Sequence, residues 1–147
     1  MDSNKVYLVQ TDTTVGFLSN NSYKLSIIKQ RDPNQKILRT VDSFKTLQQF
    51  IRVPNRFKKR VRNSKKTTFI YPNKESFRVV DKDSKHQNFL KKHTILYSTS
   101  ANLTKQEFNE EFAINSADVI LLTKEGFNNT SSSKIYRLSK STITRIR

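Results

Sequence analysis

No run of aliphatic residues in this chain exceeds four, and the longest is Val119-Ile120-Leu121-Leu122. Such runs fall far short of the roughly 20 residues that a bilayer-crossing helix needs. The N-terminal residues carry no apolar signal region, so the expected location is the cytoplasm, with no membrane association. A core must therefore be assembled from short elements that each present an apolar face. Leu, Ile, Val and Phe supply 41 of the 147 residues, above the roughly 20% below which chains stay disordered. For this length one domain, residues 1–147, is the expectation.

Periodicity places strands and helices in alternation. Val6, Leu8 and Val9 interleave with Tyr7 and Thr11, a strand pattern over residues 5–12 that leads to a turn at Gly16. Tyr23, Ile27 and Ile28 recur at helical spacing over residues 20–30, and Pro33 stops the pattern, which puts Lys29 and Arg31 at the helix exit. A short strand at 37–41 precedes Ser43, the N-cap of a helix whose Phe44, Leu47 and Ile51 share a face. Further strands fall at 67–71, 76–80, 94–97, 134–138 and 142–146, with a buried one at 119–122. Helices fall at 84–91 and at 104–112, where Phe108 and Phe112 stand at i,i+4. This mixture indicates an α/β domain.

The charge balance is +16, from 28 Lys and Arg against 12 Asp and Glu, and such a surface attracts polyanions. Residues 52–66 concentrate it, with eight basic residues (Arg52, Arg56, Lys58, Lys59, Arg60, Arg62, Lys65 and Lys66) and no acid. Without cysteine the chain has no disulfide, thiolate nucleophile or Cys-ligated metal. Its two glycines, Gly16 and Gly126, are too few for a dinucleotide fingerprint and too far apart for a Walker A loop.

Three small constellations remain. Lys29 and Arg31 can direct two cations at one anion, Lys as a point charge and Arg as a fork, although as isolated residues they also suit a solvated helix end. Ser98-Thr99-Ser100-Ala101-Asn102 follows the apolar Ile95 and Leu96. Small hydroxyl and amide side chains there can bond phosphate or ribose without crowding, and a plain turn fits equally. His86 and His93 are the only histidines; with Lys85, Lys91 and Lys92 beside them, both read as solvated residues rather than catalytic ones or metal ligands.

In chain order, QTDTTVGF (10–17), KQRDPNQKIL (29–38) and STSAN (98–102) resemble the YrdC/TsaC family of threonylcarbamoyl-adenylate synthases. Its members show Pro-Thr-Asp/Glu-Thr-X-Tyr-Gly-Leu, Lys-X-Arg followed by Pro, and Thr-Ser-Ala-Asn. Weaker echoes follow. SKKTTFI (64–70), with Thr68, stands where the family has Pro-Gly-Pro-X-Thr, and residues 77–80, with Arg78, where it has an Arg-X-Pro strand. Residues 133–138, opening on Ser133, and 143–147, with Arg145, stand where it has Ser-Thr-Ile and a closing Leu-Arg-X-Gly. Gln10, Val15, Phe17 and Ser64-Lys65-Lys66 depart from the family Pro, Tyr, Leu and Pro-Gly-Pro.

The resemblance implies a single YrdC-like α/β domain with a twisted, mixed parallel and antiparallel sheet and flanking helices. It also implies condensation of L-threonine, bicarbonate and ATP into threonylcarbamoyl-AMP and pyrophosphate, toward threonylcarbamoyladenosine in tRNA, with Mg2+ held mainly by the nucleotide phosphates and with tRNA and other tRNA-modification proteins as partners. Lys29 and Arg31 would then be catalytic, holding the triphosphate. Ser100 and Asn102 would contact the nucleotide and Thr11 and Thr13 the threonine, with Thr68, Arg78, Thr99, Ser133 and Arg145 completing the substrate site. Lys29, Arg31, Ser100 and Asn102 would share one concave basic cleft. The competing reading is a double-stranded RNA or tRNA-binding module without synthase activity, gripping phosphates through Arg56, Lys58, Lys59, Arg60 and Arg62.

Overall fold

A local cap starts each of four helices, because Ser and Asn side chains satisfy N–H groups that the first helical turn leaves unpaired. In the computed structural model, which describes every residue except Met1, Asp83, Thr104 and Asn129, Asn21 accepts from the Lys24 N–H and Ser43 from Thr46. Ser84 accepts likewise from Gln87, and Asn109 from Phe112. The elements so opened are α1 (Ser22–Lys29), α2 (Phe44–Phe50), α4 (Lys85–Leu90) and α5 (Glu110–Ser116), while α3 (Lys58–Asn63) continues a single 3-10 turn at Asn55–Phe57. No helix among the described residues is long and apolar enough to cross a membrane.

The strands are β1 (Tyr7–Gln10), β2 (Val15–Ser19), β3 (Arg39–Val41), β4 (Thr67–Ile70), β5 (Ser76–Val79), β6 (Ile95–Ser100), β7 (Val119–Ile120), β8 (Lys134–Leu138) and β9 (Ile143–Arg145). They form one mixed sheet in the order β7-β1-β2-β6-β3-β5-β4-β8-β9. The β1–β2 hairpin, β2–β6, β3–β6, β4–β5 and β8–β9 run antiparallel, and β1–β7, β3–β5 and β4–β8 parallel. This is the single-domain α/β architecture with flanking helices that the sequence implies.

Successive strand residues face opposite sides. Leu8 and Phe17 accordingly pack with Leu25 of α1 and Ala113 of α5, while Tyr7, Val9 and Leu18 pack with Phe89 and Leu90 of α4. The other half of the sheet buries Val41, Phe69 and Phe77 under Leu47 of α2 and Val61 of α3.

Several local expectations are corrected. Gly16 lies inside β2 rather than in a turn; its close approach is real, since a Cβ there would stand 3.0 Å from Thr11 Cγ2 and 3.2 Å from the Thr99 carbonyl oxygen. Helix α1 turns Leu25, Ser26 and Lys29 inward and leaves Tyr23 and Ile27 exposed. The helix expected at 104–112 begins at Glu110. Thr104 lies outside the described residues, the Asn102 amide bonds the Gln106 carbonyl, and the Asn109 cap starts the helix later. The 119–122 strand is a two-residue, half-buried edge, with Leu122 in solvent.

Candidate functional site

Gln30 ends α1 in the left-handed conformation (φ 55°), and the Arg31 N–H closes on the Ser26 carbonyl at 2.9 Å. This closing turn swings the chain across the end of β6. Lys29 points inward beneath that end, and its Nζ donates to the Ser100 carbonyl at 2.9 Å, Ser100 Oγ at 3.3 Å, Asn102 Oδ1 at 3.2 Å and the Asn102 carbonyl. A lysine that is 2% exposed is tolerated here because oxygens replace water around its ammonium. Burial, with the Arg31 charge adding to it, still lowers its pKa to about 8.

Above this clamp opens a cavity of about 630 Å³. Arg31, Thr99, Ser100 and Asn102 form one wall, and Thr11, Thr13 and Arg78 another. The structure thus brings Lys29, Arg31, Ser100 and Asn102 together from distant segments, Lys29 standing 71 residues from Ser100 and 73 from Asn102. It assigns them different places, however: Arg31 faces the cavity, whereas Lys29 lies behind the wall and holds it. The solvated-helix-end reading fails for Lys29, and the strand expected to stop at residue 97 runs on to Ser100.

The β1–β2 turn organises the second wall. Thr11 Oγ1 accepts the Thr13 N–H at 3.1 Å and donates to the Thr14 carbonyl, while Thr13 Oγ1 accepts from Arg78 Nη1 at 3.1 Å. Ser133 lines the cavity; Thr68 stands behind it, with its Oγ1 3.1 Å from Ser133 Oγ. Arg145 is exposed on the edge strand β9 and lies outside the cavity lining. Arg147 lines the cavity instead, its Nε donating to the Ser133 carbonyl at 3.0 Å. In an extended segment adjacent residues alternate sides, so a position read two residues early stays on the same side yet misses the reach.

His86 is also corrected, since it is 2% exposed and its Nδ1 stands 3.5 Å from Asp12 Oδ1. The missed signal was helical: His86, Phe89 and Leu90 stand at i, i+3, i+4 on the inward face of α4. His93 is half-buried, with Ser3 Oγ 2.9 Å from its Nδ1. Burial pushes the His86 imidazole below its usual pKa, with Asp12 opposing. For Asp12, burial pulls upward, but His86 and Arg78 outweigh it and the carboxyl falls below the carboxylate range.

None of Arg56, Lys58, Lys59, Arg60 and Arg62 lines the cavity. They sit on the 3-10 turn and α3, with Arg60 5.0 Å above the Tyr136 ring and Arg62 4.9 Å above Phe44, while Phe57 is buried in the core. Among the described residues no group of three or more His, Asp or Glu side chains is placed to hold a metal ion.

No protein-family model matches the sequence, and no curated protein matches it. Solved structures do match. Escherichia coli YciO superimposes with a TM-score of 0.76 at 18% identity, over 98% of this chain and 82% of that one. Pyrococcus abyssi Sua5 complexed with L-threonine gives 0.78 at 12% identity, over 98% of this chain and 50% of that one, so the chain spans about half of Sua5. Full-length HypF in its phosphate- and nucleotide-bound form gives 0.73 at 13% identity, over 98% and 27%.

Proposed function

From the YrdC/Sua5-like fold of this chain, we propose that it is an L-threonylcarbamoyladenylate synthase acting in the cytoplasm. The observation that carries this reading is the Lys29 clamp on Ser100 and Asn102, which sets Arg31 and the small polar wall residues around one cavity. The neighbours add support: a Sua5 of this fold was solved with L-threonine and HypF with phosphate and nucleotide.

In the reaction, the threonine amine attacks the carbon of bicarbonate, a C–O bond breaks as water leaves, and an oxygen of the resulting carbamate attacks the α-phosphorus of ATP. The bond to the β-phosphate oxygen breaks and pyrophosphate leaves with that electron pair. The carbamate is itself the nucleophile, so the work left to the protein is positioning and charge stabilisation. Arg31 meets charge developing on the phosphates, and Ser100, Thr99 and Asn102 offer hydroxyl and amide groups to the nucleotide. Thr11, Thr13 and Arg78 receive the threonine, with Ser133 and Arg147 closing the far side. Among the described residues the cavity lining contains one carboxylate side chain, Glu107, so Mg2+ bound with ATP would be held by phosphate oxygens and water and would neutralise phosphate charge. Pyrophosphate release from ATP that requires both L-threonine and bicarbonate supports this function; release indifferent to omitting either rejects it. The exposed cations of α3 favour a second role, binding of tRNA phosphates without sequence readout.

A further inference from the structure

Behind the threonine wall lies a cluster of ionisable side chains of which the mechanism above uses only Arg78. Asp12 sits in the β1–β2 turn, Arg78 in β5 and His86 in the first turn of α4, with side chains 2%, 5% and 1% exposed. Asp12 Oδ1 stands 3.5 Å from Arg78 Nη2 and 3.5 Å from His86 Nδ1. Through its other nitrogen, Nη1, Arg78 reaches Thr13 Oγ1 and the cavity. One continuous relay of polar contacts therefore runs from α4 to the cavity: His86, Asp12, Arg78, Thr13.

This cluster is a poor way to stabilise a core. Both Asp12 oxygens, both His86 ring nitrogens and Arg78 Nε are buried without a well-formed hydrogen bond. Well-packed apolar residues at such positions commonly give equal or greater stability, because desolvation offsets the attraction. What the cluster does supply is direction. Arg78 has charged neighbours on several sides, namely Asp12, Asp81 beyond the end of β5, and Arg147, which repels it. A neutral His86 supports Asp12 from behind without competing as a second cation, and so leaves the carboxylate charge to Arg78.

We propose that His86 is a positioning residue which, through Asp12, aims the Arg78 guanidinium at the anionic end of the amino-acid substrate. The identity of that substrate rests on the synthase reading; the aiming of Arg78 does not. Three variants separate aim from bulk. His86→Leu removes the donor, His86→Asn keeps an amide donor at the bond distance of Nδ1, and His86→Gln places it one bond farther out.

The expected result for His86→Leu and His86→Gln is a KM for L-threonine raised roughly tenfold, the low end of what losing an outer-shell partner costs at a metal ligand. The KM for ATP and kcat should stay near wild type, and His86→Asn should restore threonine affinity. A second readout needs no activity: 15N relaxation of the Arg78 Nε–H group should show it rigid in wild type and His86→Asn and mobile in His86→Leu and His86→Gln. An Arg78 equally rigid in all folded variants overturns the proposal, as does an equal rise in both KM values. Should His86→Leu fail to fold, the Asn and Gln pair decides alone. A wild type with no threonine-dependent pyrophosphate release rejects the synthase reading, while the relaxation data still decide the role of His86.

Discussion

The cavity walls and helix α3 use the same residue types in opposite ways. Around the cavity, Lys29 and Arg78 are buried, and polar groups of the protein stand in for their hydration: carbonyls for Lys29, Asp12 and Thr13 for Arg78. On α3, Arg60 and Arg62 are exposed and hold their guanidinium groups over the Tyr136 and Phe44 rings. A buried cation has one permitted geometry and can fix a neighbour's position, whereas an exposed one contributes field but little precision. The net charge of +16 therefore describes two different devices.

The contrast is tested most severely at Arg31. Arg31→Ala should lower threonine- and bicarbonate-dependent pyrophosphate release by about 3–4 kcal/mol in barrier, a loss of hundreds-fold. Arg60→Ala should change it by about 0–1 kcal/mol. Equal losses in the two rate measurements would erase the distinction.

Next is Lys29. Its pKa is about 8 in the fold against 10.5 in the unfolded chain, so between those values the unfolded chain holds a proton that the folded one has shed. Stability must then rise with pH across that window, because the desolvation penalty disappears as the ammonium is neutralised. Urea unfolding should show wild type gaining about 1–3 kcal/mol on Lys29→Met between pH 8 and 10.5. A pH-independent difference would mean that Lys29 is solvated after all.

Gly16 examines how tightly the cavity floor is built. Gly16→Ala forces a methyl against Thr11 and the fixed Thr99 carbonyl, and overpacking of this kind should destabilise by about 1–3 kcal/mol in chemical denaturation. No change would show that the floor gives way.

The smallest effect on the folded enzyme is expected at α3. Replacing Lys58, Lys59, Arg60 and Arg62 by Gln should leave pyrophosphate release intact while lowering the slope of log tRNA affinity against log salt, by about 0.7–0.9 for each phosphate no longer neutralised. An unchanged slope would leave the run a solvated face, and abolished release in a folded variant would put it in the active site.

The local grammar of the fold was legible. Ser43 caps α2 as its spacing predicts, and β1 alternates Leu8 against Tyr7 and Val9. These features depend on residues within a few positions, where backbone geometry is nearly obligatory. His86, Lys29 and Gly16 were misplaced because each is decided by partners distant in the chain. Whether a histidine beside lysines is solvated or buried depends on Asp12 being brought beneath it. Whether a lysine ends in water or in a ring of carbonyls depends on β6 passing over α1. Sequence period sets which face of an element a residue occupies, but only tertiary packing sets what that face meets. For a polar side chain, whose burial is unfavourable until an oxygen or a charge is supplied, that meeting determines its role.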